Sequence, residues 1–198
     1  MTLSPPKEPL TEVGIGIIGS LIDTFDGNRY VFVMSERFSK LTRTVVLRRI
    51  TAVTDASAFL TAWVAAYGLL DCVLSDQGRQ MDNAFFRAVM KIVGTMCKYT
   101  TPYHPQTNGQ VERYNRTLLK QIRAFCEEHP RQWDRLLPAL SLAYNTCPHR
   151  ATGMVPFDLL IPRRMPNLTV ECLAGSCPLA STDGSPMMVK RAIIQGLK

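Results

Sequence analysis

The chain has 198 residues, 46% of them hydrophobic, and a formal net charge of +7. This is enough for one domain with a sizeable core, and the composition excludes collagenous, low-complexity and disulfide-dense classes. No apolar run is long enough to span a membrane and no basic-then-apolar signal segment opens the chain, so an intracellular protein without a membrane partner is expected, its charge suited to a polyanion such as nucleic acid.

Residues 1–12, with Pro5, Pro6 and Pro9, read as an irregular arm. Residues 14–19 then spell GIGIIG, with Gly14, Gly16 and Gly19 in the spacing of a dinucleotide-binding turn. That turn needs a strand before it and a helix starting inside it. Here prolines precede it, and Asp26-Gly27 signals a hairpin too soon afterwards for a crossover helix. Glu36, spaced like a ribose-binding acid, is the one feature favouring a nucleotide. The reading adopted is a buried strand, Val13 to Ile18, paired through a hairpin with Tyr30 to Met34, and no nucleotide cofactor.

A third strand spans Thr42 to Leu47, alternating and rich in β-branched residues. A helix follows, capped by Thr54 or Asp55, with Ala56, Phe59, Leu60, Trp63 and Val64 at helical spacing and Gly68 as its stop. Leu70 to Ser75 is a short apolar strand broken by Asp76-Gln77-Gly78. Asp82 or Asn83 caps a helix carrying Phe85, Phe86, Val89, Met90 and Val93, ended by Gly94. Met96 to Thr100 reads as a fifth strand and HPQTNG as a loop. The chain is helical from about Asn108 to Cys126, then from about Trp133 to Asn145, with a kink or restart at Pro138. After Pro162 periodicity is lost. The predicted organisation is an arm (1–12), an α/β core (13–164) and a flexible tail (165–198). The predicted sheet is mixed and five-stranded, three antiparallel strands then two parallel, with helices on both faces.

Asp76 follows CVLS at the end of a buried strand, where open α/β sheets place their sites. Glu112 falls in the opening turns of the next long helix, with thirty-five residues between the two. Such a pair can converge on a divalent cation. Each alone reads more simply, Asp76 as a turn-former and Glu112 as a favourable charge at a helix N-terminus. Around Glu112, however, Tyr103, His104, Gln106, Asn108, Gln110, Arg113, Tyr114, Asn115 and Arg116 offer donors and stacking rings for phosphates and bases. Glu112, Asn115 and Arg116 share a helix face, with Lys120 a turn later. The cysteines at 72, 97, 126, 147, 172 and 177 show no zinc spacing and read as separate reduced thiols.

The stretches LSDQG, TTPYHPQTNGQVERYNRTL, WDRLLPALSLAYNT and ATGMVPFDLL, with RYVFVMSERFSK before them, resemble the integrase catalytic core of gypsy-type retrotransposons, related to retroviral integrases. The resemblance runs from about Val13 to Arg164 and implies a ribonuclease H-like fold. It also implies three carboxylates, two Asp and one Glu, holding two Mg2+ or Mn2+ ions for 3′-end processing and strand transfer on DNA. Asp76 matches the second Asp and Glu112 the Glu. Gly16 stands at the position of the first Asp, in Gly-Ile-Ile-Gly-Ser-Leu where the family has a pattern like D-F-I-G-P-L. Metal binding and catalysis are therefore expected to be impaired. Asp23 and Glu36 are the only nearby substitutes, and neither is well placed. The resemblance further implies DNA as partner, a dimer or higher multimer, and a nuclear location. Family members carry flanking zinc-binding and DNA-binding domains, so this sequence is either a piece of a longer polyprotein or a truncated gene. The competing reading is a DNA-binding relic without catalysis.

Overall fold

The computed structural model describes residue 6 and residues 8–75, 84–99 and 109–160. Three strands come first: β1 (Glu12–Ile18), β2 (Tyr30–Glu36) and β3 (Thr42–Leu47). β1 pairs antiparallel with β2, and β2 antiparallel with β3. GIGIIG thus runs along a sheet strand into a hairpin, and no helix begins inside it. Its last glycine is required by the exit from β1: at Gly19, φ is 140° and a β-carbon would stand 2.5 Å from the Tyr30 ring. The second turn is built by Glu36, whose buried carboxylate accepts from Phe38 N–H at 2.9 Å and from the N–H and O–H of Ser39.

β4 (Cys72–Ser75) and β5 (Met96–Tyr99) complete a sheet of order β3-β2-β1-β4-β5, with β1–β4 and β4–β5 parallel. The helices are α1 (Ala52–Phe59), continued by a π-helical turn (Leu60–Val64) and α2 (Ala65–Tyr67); α3 (Ala84–Ile92); α4 (Gly109–Cys126); α5 (Trp133–Thr146); and α6 (Pro156–Leu160). Gly68 does end the first helical run, with φ 87°. Its start is corrected from Thr54 or Asp55 to Thr51. Thr51 Oγ1 accepts from Thr54 N–H at 3.1 Å, and Thr54 Oγ1 accepts from Thr51 N–H at 2.9 Å. This reciprocal pair lets a threonine do what Glu or Gln does in the usual capping box.

The sheet is covered on both faces because its strands alternate. Val13, Ile15, Phe32 and Met34 meet Phe59, Trp63, Phe86 and Met90 on one side. Ile18, Val31 and Val33 meet Val111, Leu118, Ile122, Trp133 and Leu137 on the other. Of the apolar residues read onto α3, Phe86 and Met90 are buried and Phe85 is exposed. Pro138 causes no restart; α5 is continuous through it. No helix was expected over Pro156–Leu160, yet α6 packs Phe157 and Leu160 against the first cluster. The proposed cap at Asp82 or Asn83, the strand end at Thr100 and the 165–198 tail lie outside the described residues. The four described cysteines are unpaired. No helix among the described residues is long and apolar enough to cross a membrane.

Candidate functional site

α4 organises the site. Its apolar stripe of Val111, Tyr114, Leu118, Ile122 and Phe125 is buried against the sheet and α5. The same spacing turns Glu112, Arg116 and Lys120 outward, and all three are exposed. Asn115 sits at the border, half-buried. This is the face expected from the sequence. Gln110 and Arg113 leave it: they turn to the opposite flank of α4, where they line a cavity with Lys40, Tyr144 and His149.

Val111 and Asn115 bracket Glu112 and also touch β1. A β-carbon on Gly16 would stand 2.8 Å from Val111 Cγ1 and 3.3 Å from Asn115 Nδ2. A side chain at position 16 therefore points at the helical turn that bears Glu112. The Asn115 Oδ1 is buried there with no hydrogen-bond partner among the described residues. β4 runs parallel to β1, with Leu74 beside Gly14, and ends at Ser75. Asp76, Tyr103, His104, Gln106 and Asn108 lie outside the described residues.

The two substitute acids are occupied elsewhere. Glu36 is held in its turn by three donors from Phe38 and Ser39. Asp23 pairs with Arg29 at 2.9 Å on the loop after β1. Among the described residues no three His, Cys, Asp or Glu side chains come together as a metal site. The described part of the site offers one of the expected carboxylates, Glu112, and Asp76 lies outside it.

The cavity on the other flank was not legible in the sequence. It has a volume of about 210 Å³. Lys40 enters it from the β2–β3 turn, with φ 72°, and donates to Gln110 Oε1 at 3.0 Å. Gln110 Nε2 in turn donates to Ser35 Oγ and to the Glu36 carbonyl, both at 2.7 Å. Tyr114 and Tyr144 pack edge to face at 4.7 Å, and Tyr144 meets His149 at 5.8 Å. Burial holds the Lys40 ammonium below its ordinary pKa, with Glu36 opposing and Arg37 and Arg113 adding to the effect. Burial, then Lys40 and Arg113, hold His149 low as well. The sequence signal for this cluster was slight: a lysine after RFS, and a histidine forty residues beyond Gly109 at the start of α4.

No protein-family model matches the chain. It is 29% identical over 159 residues to the Tf2-3 transposon polyprotein of Schizosaccharomyces pombe, and equally to Tf2-4; these residues are 80% of this chain and 12% of each polyprotein. The chain thus spans about an eighth of the length of these curated relatives. Among solved structures it superposes on a simian T-cell lymphotropic virus intasome in complex with PP2A regulatory subunit B56 gamma, with a TM-score of 0.70 at 18% identity over 91% of this chain and 62% of that one. It also superposes on the HTLV-2 integrase catalytic core domain in complex with magnesium, with a TM-score of 0.62 at 14% identity over 78% of this chain and 98% of that one. The BIV integrase catalytic core gives 0.60 at 20% identity, over 77% and 95%. The strand order and two-faced helical cover described above are those of the integrase-core, ribonuclease H-like fold, and in sequence the chain is similar to one segment of the Tf2 polyproteins.

Proposed function

We propose that this core binds DNA across the exposed face of α4 and that its metal-dependent 3′-end processing and strand transfer are impaired. The observation that carries the reading is Gly16. It is buried in β1 with its missing side chain aimed at the turn bearing Glu112. A carboxylate there would complete a triad with Asp76 and Glu112; glycine leaves two acids. Asp23 and Glu36 do not restore the third, because each is engaged elsewhere. The HTLV-2 relative's core is in complex with magnesium. In this chain Asp76 and Glu112 would be the residues to hold Mg2+ or Mn2+, at most as a weak single site supported by substrate phosphates.

The residues of α4 do the remaining work without a metal. Arg116 and Lys120 lie beside Glu112 on one exposed face and neutralise phosphates along a bound backbone. Asn115 presents an amide at the rim. Partner copies and a nuclear location belong to the same proposal, supported by the intasome relative and by the nature of integration. The runner-up, a DNA-binding relic with no catalysis, rests on the same glycine at position 16.

The deciding experiment is a nicking and strand-transfer assay in Mn2+, comparing the natural chain with Gly16→Asp and with Gly16→Asp combined with Val111→Ala. Activity only in the substituted chains supports an intact fold silenced at one ligand. Equal activity in the natural chain overturns the reading of Gly16. Inactivity of all three, with DNA binding retained, favours the relic.

A further inference from the structure

We infer that the cavity bounded by Lys40, Arg113, Tyr144 and His149 is an anion seat that takes one backbone phosphodiester of bound nucleic acid, on the flank of α4 opposite Glu112. The inference rests on the proposal that this chain binds DNA, and adds a second point of grip in which Lys40, Tyr144 and His149 join Arg113 from outside its motif.

Unused hydrogen-bond donors converge there. Lys40 Nζ donates to Gln110 and to the Arg37 carbonyl, leaving one of its three N–H groups over. Arg113 Nε donates to the Gly109 carbonyl at 3.1 Å, and its four remaining N–H groups have no partner among the described residues. His149 Nδ1 accepts from Ala151 N–H at 3.1 Å, which assigns the neutral ring's proton to Nε2 and makes it a donor. The Tyr144 hydroxyl likewise has no partner among the described residues.

Acceptors are scarce by comparison. Gln110 Oε1 is taken by Lys40, and both oxygens of Glu36, the carboxylate felt by Lys40, are taken by its own turn. Neither Lys40 nor Arg113 forms an ion pair among the described residues. Two cations and a histidine thus share one cavity, and after burial, the larger cause, their mutual repulsion adds to the lowering at Lys40 and His149, with Glu36 opposing at Lys40. An oxyanion between them relieves that repulsion and meets charge-assisted donors. At about 30 Å³ for a water's share of liquid volume, the cavity of about 210 Å³ has room for a phosphodiester group.

The test uses the whole chain, a fluorescent DNA duplex and, separately, inorganic phosphate. Histidine C–H signals are followed by NMR across pH, with His149 assigned by loss of its signal in His149→Gln. The groups facing His149 are Lys40, Arg113, Tyr114 and Tyr144, so a bound anion offsets the two cations and raises its titration midpoint. The expected result is that duplex raises this midpoint, and that His149→Gln and Tyr144→Phe each weaken duplex binding about 3- to 10-fold, the range of one net hydrogen bond. Both variants are expected to keep the natural chain's melting temperature. If duplex binds well, yet His149 titrates unchanged and both variants bind like the natural chain, the seat is overturned while the DNA-binding proposal stands. If phosphate raises the midpoint but duplex does not bind, the nucleic-acid assignment and the DNA-binding proposal fall together. If neither moves His149 and no duplex binds, both fall as well.

Discussion

Gly16 faces α4 across a gap narrower than a side chain needs. With Val111 Cγ1 only 2.8 Å from its would-be β-carbon, Gly16→Asp forces the valine aside. Valine is stiff at χ1, so the substitution is expected to destabilise the chain by about 1–3 kcal/mol. Adding Val111→Ala is expected to return part of that, read as the denaturation midpoint of the double variant against the single. Asp55 gives a second test at this scale. It is fully buried in α1 and its Oδ2 has no hydrogen-bond partner. Burial pushes its pKa up from 3.8 to about 6, against a weaker downward pull from Thr54. Between those values the folded chain holds more protons than the unfolded one, so stability contributed by this group falls as pH rises from about 4 to about 6 and stays lost above. Asp55→Asn removes that dependence. Its melting temperature relative to the natural chain should therefore climb from pH 4 to pH 7, corresponding to up to about 3 kcal/mol. A difference that stays flat across that range would rule out the buried charge as its cause.

The elements are held together by a few side chains that satisfy backbone groups of their neighbours. Asn145, near the end of α5, accepts from Thr42 N–H and O–H at 2.8 and 3.3 Å and donates to the Thr42 carbonyl at 2.7 Å. The amide acts as a one-residue strand, pairing the start of edge strand β3 and covering it. Asn145→Leu leaves a buried N–H and C=O unmatched and is expected to cost about 2–4 kcal/mol in urea denaturation. At the other end of α5, Trp133 Nε1 donates to the Ile22 carbonyl at 2.6 Å and Asn28 Nδ2 to Asp134 at 2.8 Å. These bonds dock the helix on the β1–β2 hairpin. Thr51→Ala, which removes one half of the reciprocal cap, is expected to cost about 1 kcal/mol by the same measurement.

Across the whole molecule, the +7 charge predicts DNA affinity that falls steeply between about 50 and 200 mM salt. Glu112→Gln removes a negative charge from the exposed face of α4 and should leave that affinity equal or tighter, checked by fluorescence anisotropy at fixed salt. Weaker binding in this variant would mean that Glu112 orders the DNA-binding face rather than merely sharing it. The layered arrangement explains why such a face exists. One stripe of α4 is consumed by the core, which leaves two flanks, one carrying Glu112 with Arg116 and Lys120, the other turned to the Lys40 turn and the end of α5.

Much of this was legible along the chain because it is local. Short strand-like runs marked β1 to β3, helical spacing placed Glu112, Asn115 and Arg116 on one face of α4, and Asp26-Gly27 marked the hairpin after GIGIIG. The long motifs carried the family resemblance, and with it the significance of a glycine at position 16. What the chain alone could not reveal depends on residues far apart in sequence. Only packing brings Val111 and Asn115 against Gly16. Only packing joins Lys40, Arg113, Tyr144 and His149 around one cavity. Periodicity states which side of an element faces inward; which distant residue it meets there is settled by how the sheet twists and how the helices seat upon it.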